Sequence, residues 1–170
     1  ITGGTGVDKI TGGTGNDTID GGTGVDIYKF AATAALNGTD VYDDNLTATD
    51  RVDFSGFLSG GTFSTTVIES DGVTDVDITN KIVLLANATN GAVAAVDAAS
   101  EIVPMIEGLG DAMTLSNSGK AVVIAGDNSA ATAGASIYFV DDSLGDNVGT
   151  IEADDIAKVA TFTLDIDTLD

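Results

Sequence analysis

Residues 3–29 read GGTGVDKIT, GGTGNDTID and GGTGVDIYK, three nonapeptides in one register: Gly3 to Thr11, Gly12 to Asp20 and Gly21 to Lys29. Nine glycines and three aspartates (Asp8, Asp17, Asp26) fall at fixed offsets. A period of this kind marks stacked units. A flexible Gly-rich linker needs neither an aspartate register nor an apolar residue at every ninth position. Ile1-Thr2 reads as the last two positions of a further copy, so the array is expected to continue upstream.

The composition of the unit follows from what it has to do. Glycine at the first, second and fourth positions lets the backbone enter conformations closed to residues with a Cβ, turning carbonyl oxygens toward one point. The aspartate at position six adds a full negative charge on a short stem. Hard oxygen donors of this kind suit Ca²⁺, which takes six to eight of them. Position eight is apolar (Ile10, Ile19, Tyr28, and Ile1 of the broken copy), as a short strand facing a narrow core requires. Each repeat is one turn plus one strand.

The rest of the composition narrows the function. Of 27 acidic residues in the 170, only Glu69, Glu101, Glu107 and Glu152 are glutamate, and aspartate favours turns and ligand loops over helix. Six Lys and Arg against a net charge of -21 exclude a phosphate-tracking nucleic-acid surface and disfavour anionic membranes. Soluble divalent cations are the natural partners. A hydrophobic content of 43% is enough for a core. There is no cysteine for disulfides or thiolate sites and no histidine for imidazole chemistry. No apolar run approaches the length of a membrane span.

The glycine and aspartate register resembles the RTX family of type I secreted bacterial proteins. The resemblance implies a parallel β-roll, two nonapeptides per coil, with calcium between turns n and n+2 on one edge. It implies that the carbonyls of Gly3 and Thr5 with Asp8, and those of Gly22 and Gly24 with Asp26, enclose one ion. Asp17, with the carbonyls of Gly12 and Thr14, falls on the opposite edge and needs a partner from the irregular segment, where Asn37, Asp40, Asp43 and Asp44 are at hand; Asp40 and Asp43 are taken as its ligands. Tyr28-Lys29-Phe30 and Thr49 to Gly56 resemble the segment that closes such rolls. Phe30, Val52, Phe54 and Phe57 are then the cap that a repeat stack requires.

Two parts are expected: residues 1–58 as the calcium-binding roll with its cap, and 59–170 as a β-rich, mostly antiparallel, sandwich-like region. Strands are predicted at Phe63 to Glu69, Val73 to Thr79, Ile82 to Asn87, Ala121 to Gly126, Ser136 to Asp141 and Ala160 to Asp167, most of them bounded by Gly, Asn or Asp. One helix is predicted between Ala92 and Leu109, kinked at Pro104, with Met105 and Ile106 as core. Asp141 to Asn147 followed by Gly149 to Asp155 faintly resembles an EF-hand or dockerin loop, with Asp142, Asp146 and Glu152 as candidates; Leu144 stands where an acid belongs, and a solvated acidic turn is the alternative.

No His-Glu-x-x-His, serine triad or Gly-x-Ser-x-Gly elbow is present in the sequence. The acid pairs Asp43-Asp44, Asp141-Asp142 and Asp154-Asp155 suit solvation or metal binding better than glycosidase chemistry. Sequons occur at Asn37, Asn45 and Asn87, and the acidic, apolar tail from Leu164 to Asp170 fits a type I export signal, whose place in that family is C-terminal. The expected function is a non-enzymatic calcium-binding structural module of a secreted surface protein, of S-layer or adhesin type. Its expected partners are calcium, further copies of itself and other cell-surface components. The alternative is the secretion and folding module of an RTX protease or lipase whose catalytic domain lies upstream.

Overall fold

A computed structural model of the chain describes residues 1–42, 50–58, 64–68, 76–85, 113–115, 119–127, 134–142 and 151–162. The repeats alternate between two sheets. Strands β1 (Thr2–Gly6), β3 (Thr18–Gly24) and β5 (Asp40–Tyr42) stack in one sheet; β2 (Lys9–Ile10), β4 (Ile27–Lys29) and β6 (Arg51–Asp53) stack in the other. All these pairings are parallel, as required of a chain that winds in one sense. Gly4 pairs with Gly22 and Lys9 with Ile27, two nonapeptides apart, so two repeats make one coil. The next coil is longer: Thr18 pairs with Val41 and Ile27 with Arg51. Part of the extra length is the single helical turn α1 (Ala34–Asn37), which the sequence reading did not foresee.

The remaining elements are β7 (Ser64–Ile68), β8 (Val76–Asp77), β9 (Lys81–Leu85), β10 (Met113–Thr114), β11 (Lys120–Asp127), β12 (Gly134–Asp141), a 3₁₀ turn (Ala153–Asp155) and β13 (Ile156–Phe162). Each predicted strand has a counterpart, with shifted ends. β13 begins at Ile156, ahead of the Ala160 start predicted for it, and residues 163–170, with the export-signal reading, lie outside the described residues. So does the helix predicted for 92–109.

One sheet carries strands from both sides of residue 58, in the order β1-β3-β5-β13-β12-β11-β9-β7. Antiparallel pairing holds for the two longest ladders, β11–β12 and β12–β13; β5–β13, β9–β11, β7–β9 and β8–β10 are parallel. The runs AVVIA in β11 and ASIYFV in β12 are apolar at consecutive positions, and residues 135–140 are all buried. That is the signature of a strand covered on both faces. Val122, Ile137 and Phe139, alternating with Val123, Tyr138 and Val140, belong to the same core as Ile10, Ile19, Tyr28 and Tyr42 of the roll.

The cap residues occupy the joint between the two. Phe30, Phe54 and Phe57 are buried, with Val52 packed against them. Phe139 of β12 stacks on Phe57 at 3.8 Å and meets Phe30 and Phe54 edge-on at 5.9 and 6.3 Å. Tyr42 stacks on Phe162 at 4.4 Å, across the β5–β13 ladder. The roll therefore ends against the C-terminal sheet.

Candidate metal centre

Stacking the turns produces one hydrogen-bond unit three times. The main-chain N–H of Asp8 donates to Oδ1 of Asp26 at 2.9 Å, that of Asp17 to Oδ1 of Asp40 at 3.0 Å, and that of Asp26 to Oδ1 of Asp50 at 2.8 Å. The carbonyls of Asp8, Asp17 and Asp26 accept from Ile27, Val41 and Arg51, each at 2.8 Å. Asp8, Asp26 and Asp50 thus form a column on one edge, and Asp17 and Asp40 a second on the other. The carboxylates of Asp26, Asp40 and Asp50 are each anchored through Oδ1 to the turn before.

The other oxygen is what matters chemically. Oδ2 of Asp8, Asp17 and Asp26 is buried and has no hydrogen-bond partner. A buried, unpaired carboxylate oxygen costs about 1–3 kcal/mol or more. Such a group calls for an explanation, and a bound ion is one. Asp26 and Asp40 are only 1% and 2% exposed. Burial pushes the carboxyl of Asp40 above its ordinary range; the Asp17 N–H opposes this, and the Asp17 charge adds to it. A dication between the turns would relieve both desolvation and repulsion.

Close approach of the turns explains the glycines. A Cβ on Gly3 would lie 2.5 Å from the Gly21 carbonyl oxygen and 3.0 Å from Oδ2 of Asp8; one on Gly12 would lie 2.5 Å from Oδ2 of Asp40. At the fourth position of the turn, Gly24 (φ +140°) sits on the Gly6 carbonyl and Gly38 (φ +75°) on the Gly15 carbonyl, where no side chain fits. Among the described residues no three acidic side chains converge. Each ion would therefore be held by at most two carboxylates, with carbonyl oxygens filling the rest of a six- to eight-oxygen shell. The donor set fits calcium.

Of the predicted ligands, the structure brings Gly3, Asp8, Gly22, Gly24 and Asp26 into adjacent turns on one edge, and Gly12, Asp17 and Asp40 together on the other. Thr5 lies in the β1–β3 ladder opposite Thr23, and Thr14 in the 12–17 turn. Asp43 and Asp44 lie outside the described residues. Asn37 is committed elsewhere: its Oδ1 accepts from Ala31 N–H at 2.7 Å, and its amide donates to the carbonyls of Thr33 at 2.7 Å and Ala31 at 3.3 Å. This 4% exposed side chain staples the loop.

Two residues of the stacked turns, one on each edge, fall outside the repeat register of the sequence: Gly38 and Asp50. Asn37-Gly38-Thr39-Asp40-Val41-Tyr42 follows Thr14 to Ile19 position by position in space, retaining the fourth-position glycine, the aspartate and the apolar residue while losing the first two glycines. Asp50-Arg51-Val52-Asp53 repeats the spacing of Asp26-Ile27-Tyr28-Lys29. The signal available was Asp-x-apolar, preceded by a single glycine at Asp40 and by none at Asp50.

The family described as RTX calcium-binding nonapeptide repeat (4 copies) matches residues 1–28. Residues 1–28 are RTX repeats. No curated protein and no solved structure matches the chain. The RTX match ends before α1, whereas the stacked geometry runs on through Gly38, Asp40 and Asp50. RTX repeats bind calcium and occur in secreted proteins, so the chain contains a calcium-binding module of that class. No helix among the described residues is long and apolar enough to cross a membrane.

Proposed function

We propose that the chain is a structural module of a bacterial surface protein, of S-layer or adhesin type, that sets and assembles outside the cell when calcium binds, and that it carries no catalysis of its own. The observation supporting this most directly is the position of β5. Asp40 anchors the Asp17 turn through its carboxylate and opens the strand that joins β3 of the RTX roll to β13 of the C-terminal sheet. An ion at that edge stiffens the seam of an eight-stranded sheet, a load-carrying role.

Where calcium is scarce the stacked carboxylates repel one another and the glycines keep the chain loose, which suits export as an unfolded polymer. Outside, each site with Kd near ~0.1 mM adds roughly 2.7 kcal/mol at ~10 mM calcium.

The test is a calcium titration of the EDTA-treated chain followed by far-UV circular dichroism and light scattering. The β-signal should rise over the millimolar range, followed by growth in mass. Spectra that ignore calcium exclude the folding role, and folding without any gain in mass excludes the assembly role.

A further inference from the structure

Outside the roll, the described residues contain two buried acids, and they lie at the same place: Asp142 is 2% exposed and Asp155 1% exposed. The antiparallel pair Val140–Ile156 sets their proximity, since Asp142 follows β12 by one residue and the 3₁₀ turn ending in Asp155 leads straight into β13. Both backbones are pinned. Asp142 N–H donates to the Gly119 carbonyl at 3.1 Å, and Asp155 N–H to that of Glu152 at 3.2 Å.

The carboxylate of Asp155 is held in place by half. Its Oδ2 accepts the Glu152 N–H at 2.9 Å, while Oδ1 is buried without a partner. Burial, followed by the charges of Asp142, Asp154 and Glu152, pushes this carboxyl above its ordinary range, against the opposing effect of the Glu152 N–H. Lys120, on the neighbouring strand, is taken up by Asp141 at 3.1 Å and lies over the Phe57 ring. Asp141, one of the acids in the loop singled out by sequence, is therefore a salt-bridge partner.

We propose that Asp142 and Asp155 hold a divalent cation, Ca²⁺, at a site of the C-terminal sheet separate from the RTX turns. Two carboxylates balance one dication, and an anchored aspartate with one open buried oxygen is the same half-filled arrangement found in the roll. Main-chain oxygen and water complete the shell. The ion would tie the end of β12 to the start of β13.

Native mass spectrometry of the whole chain at fixed calcium tests this without relying on the roll. Asp155→Asn is expected to carry one ion fewer than wild type, whereas Asp26→Asn loses ions from the roll and keeps this one. An unchanged count in Asp155→Asn overturns the site. Hydrogen exchange at residues 151–155, measured in a chain carrying Asp17→Asn and Asp26→Asn, covers the case in which Asp155→Asn does not fold. Calcium should slow those amides at least tenfold, and equal rates with and without calcium overturn the proposal.

Discussion

The N–H of Asp8 donates to the carboxylate of Asp26, eighteen residues along the chain, and that carboxylate's second oxygen is buried without a partner. Asp26 also donates its own N–H to Asp50, which makes it the middle member of a three-aspartate column. One residue therefore serves two successive turns, and the turns are coupled through it.

Asp26→Asn keeps an oxygen for the Asp8 N–H and removes the charge. A charged ligand lost from a calcium shell should raise the calcium midpoint of folding at least tenfold, equivalent to about 1.4 kcal/mol. Asp20→Asn, at the ninth position of its repeat, should leave the midpoint within about twofold. Titration of both variants by circular dichroism makes the comparison, and equal midpoints would remove Asp26 from the site.

The raised carboxyl of Asp40 sets a pH dependence whose sign depends on calcium. Without calcium, the folded-state value lies above the ordinary 3.8, so stability is greatest below that value and falls as pH rises through the folded one. With calcium bound, ionisation is favoured and the slope reverses, because protons then compete with the metal. Asp40→Asn should stabilise the calcium-free chain at neutral pH and abolish most of the gain from calcium at that edge. Urea melts at pH 4 and 7, with calcium and with EDTA, read the four cases.

What was legible in the sequence was whatever the local register enforces. Glycines at the first, second and fourth positions, with aspartate at six and an apolar residue at eight, determine the turn, the strand and the direction of stacking from within nine residues. The n to n+2 pairing, Asp8 with Asp26, is what the resemblance to RTX repeats implies, and the register shows it. Gly38 and Asp50 were not legible as members of the two columns, because their turns keep the aspartate and lose most of the glycines; only the stacking contact with Gly15 and the bond from Asp26 place them. The joint between roll and C-terminal sheet was hidden for another reason. Phe139 and Phe162 read as ordinary strand residues, and nothing local says that they meet Phe57 and Tyr42 more than eighty residues away.

Gly38→Ala tests the degenerate turn directly. At φ +75° a Cβ is strained, and it would also meet the Gly15 carbonyl, so the two effects add. Gly13 has a comparable positive φ of +94° but open space around its missing Cβ. Gly13→Ala should cost about 1–2 kcal/mol, the strain alone, and Gly38→Ala clearly more. Denaturant melts of the calcium-saturated chain measure the difference; equal losses would mean that the second edge is not closely stacked at Gly38.

Phe139→Ala asks whether calcium folds the roll alone or the roll against its neighbour. The ring of Phe139 touches Phe30, Phe54 and Phe57, all from the roll's closing segment, while its backbone sits in the ladder between β11 and β13. Removing a buried phenylalanine costs roughly 3–5 kcal/mol. No acid of the repeats is touched, so a roll that folds by itself would keep its calcium midpoint. A roll that depends on the joint must draw the missing free energy from ion binding, so its midpoint should rise by well over tenfold. Hydrogen exchange separates the cases further: after EDTA, amides of β1 to β6 should exchange first and those of β11 and β12 last in wild type, whereas in Phe139→Ala the β11 and β12 amides should lose much of that advantage. An unchanged midpoint together with unchanged exchange order would mean that the shared aromatic core does not couple the two halves.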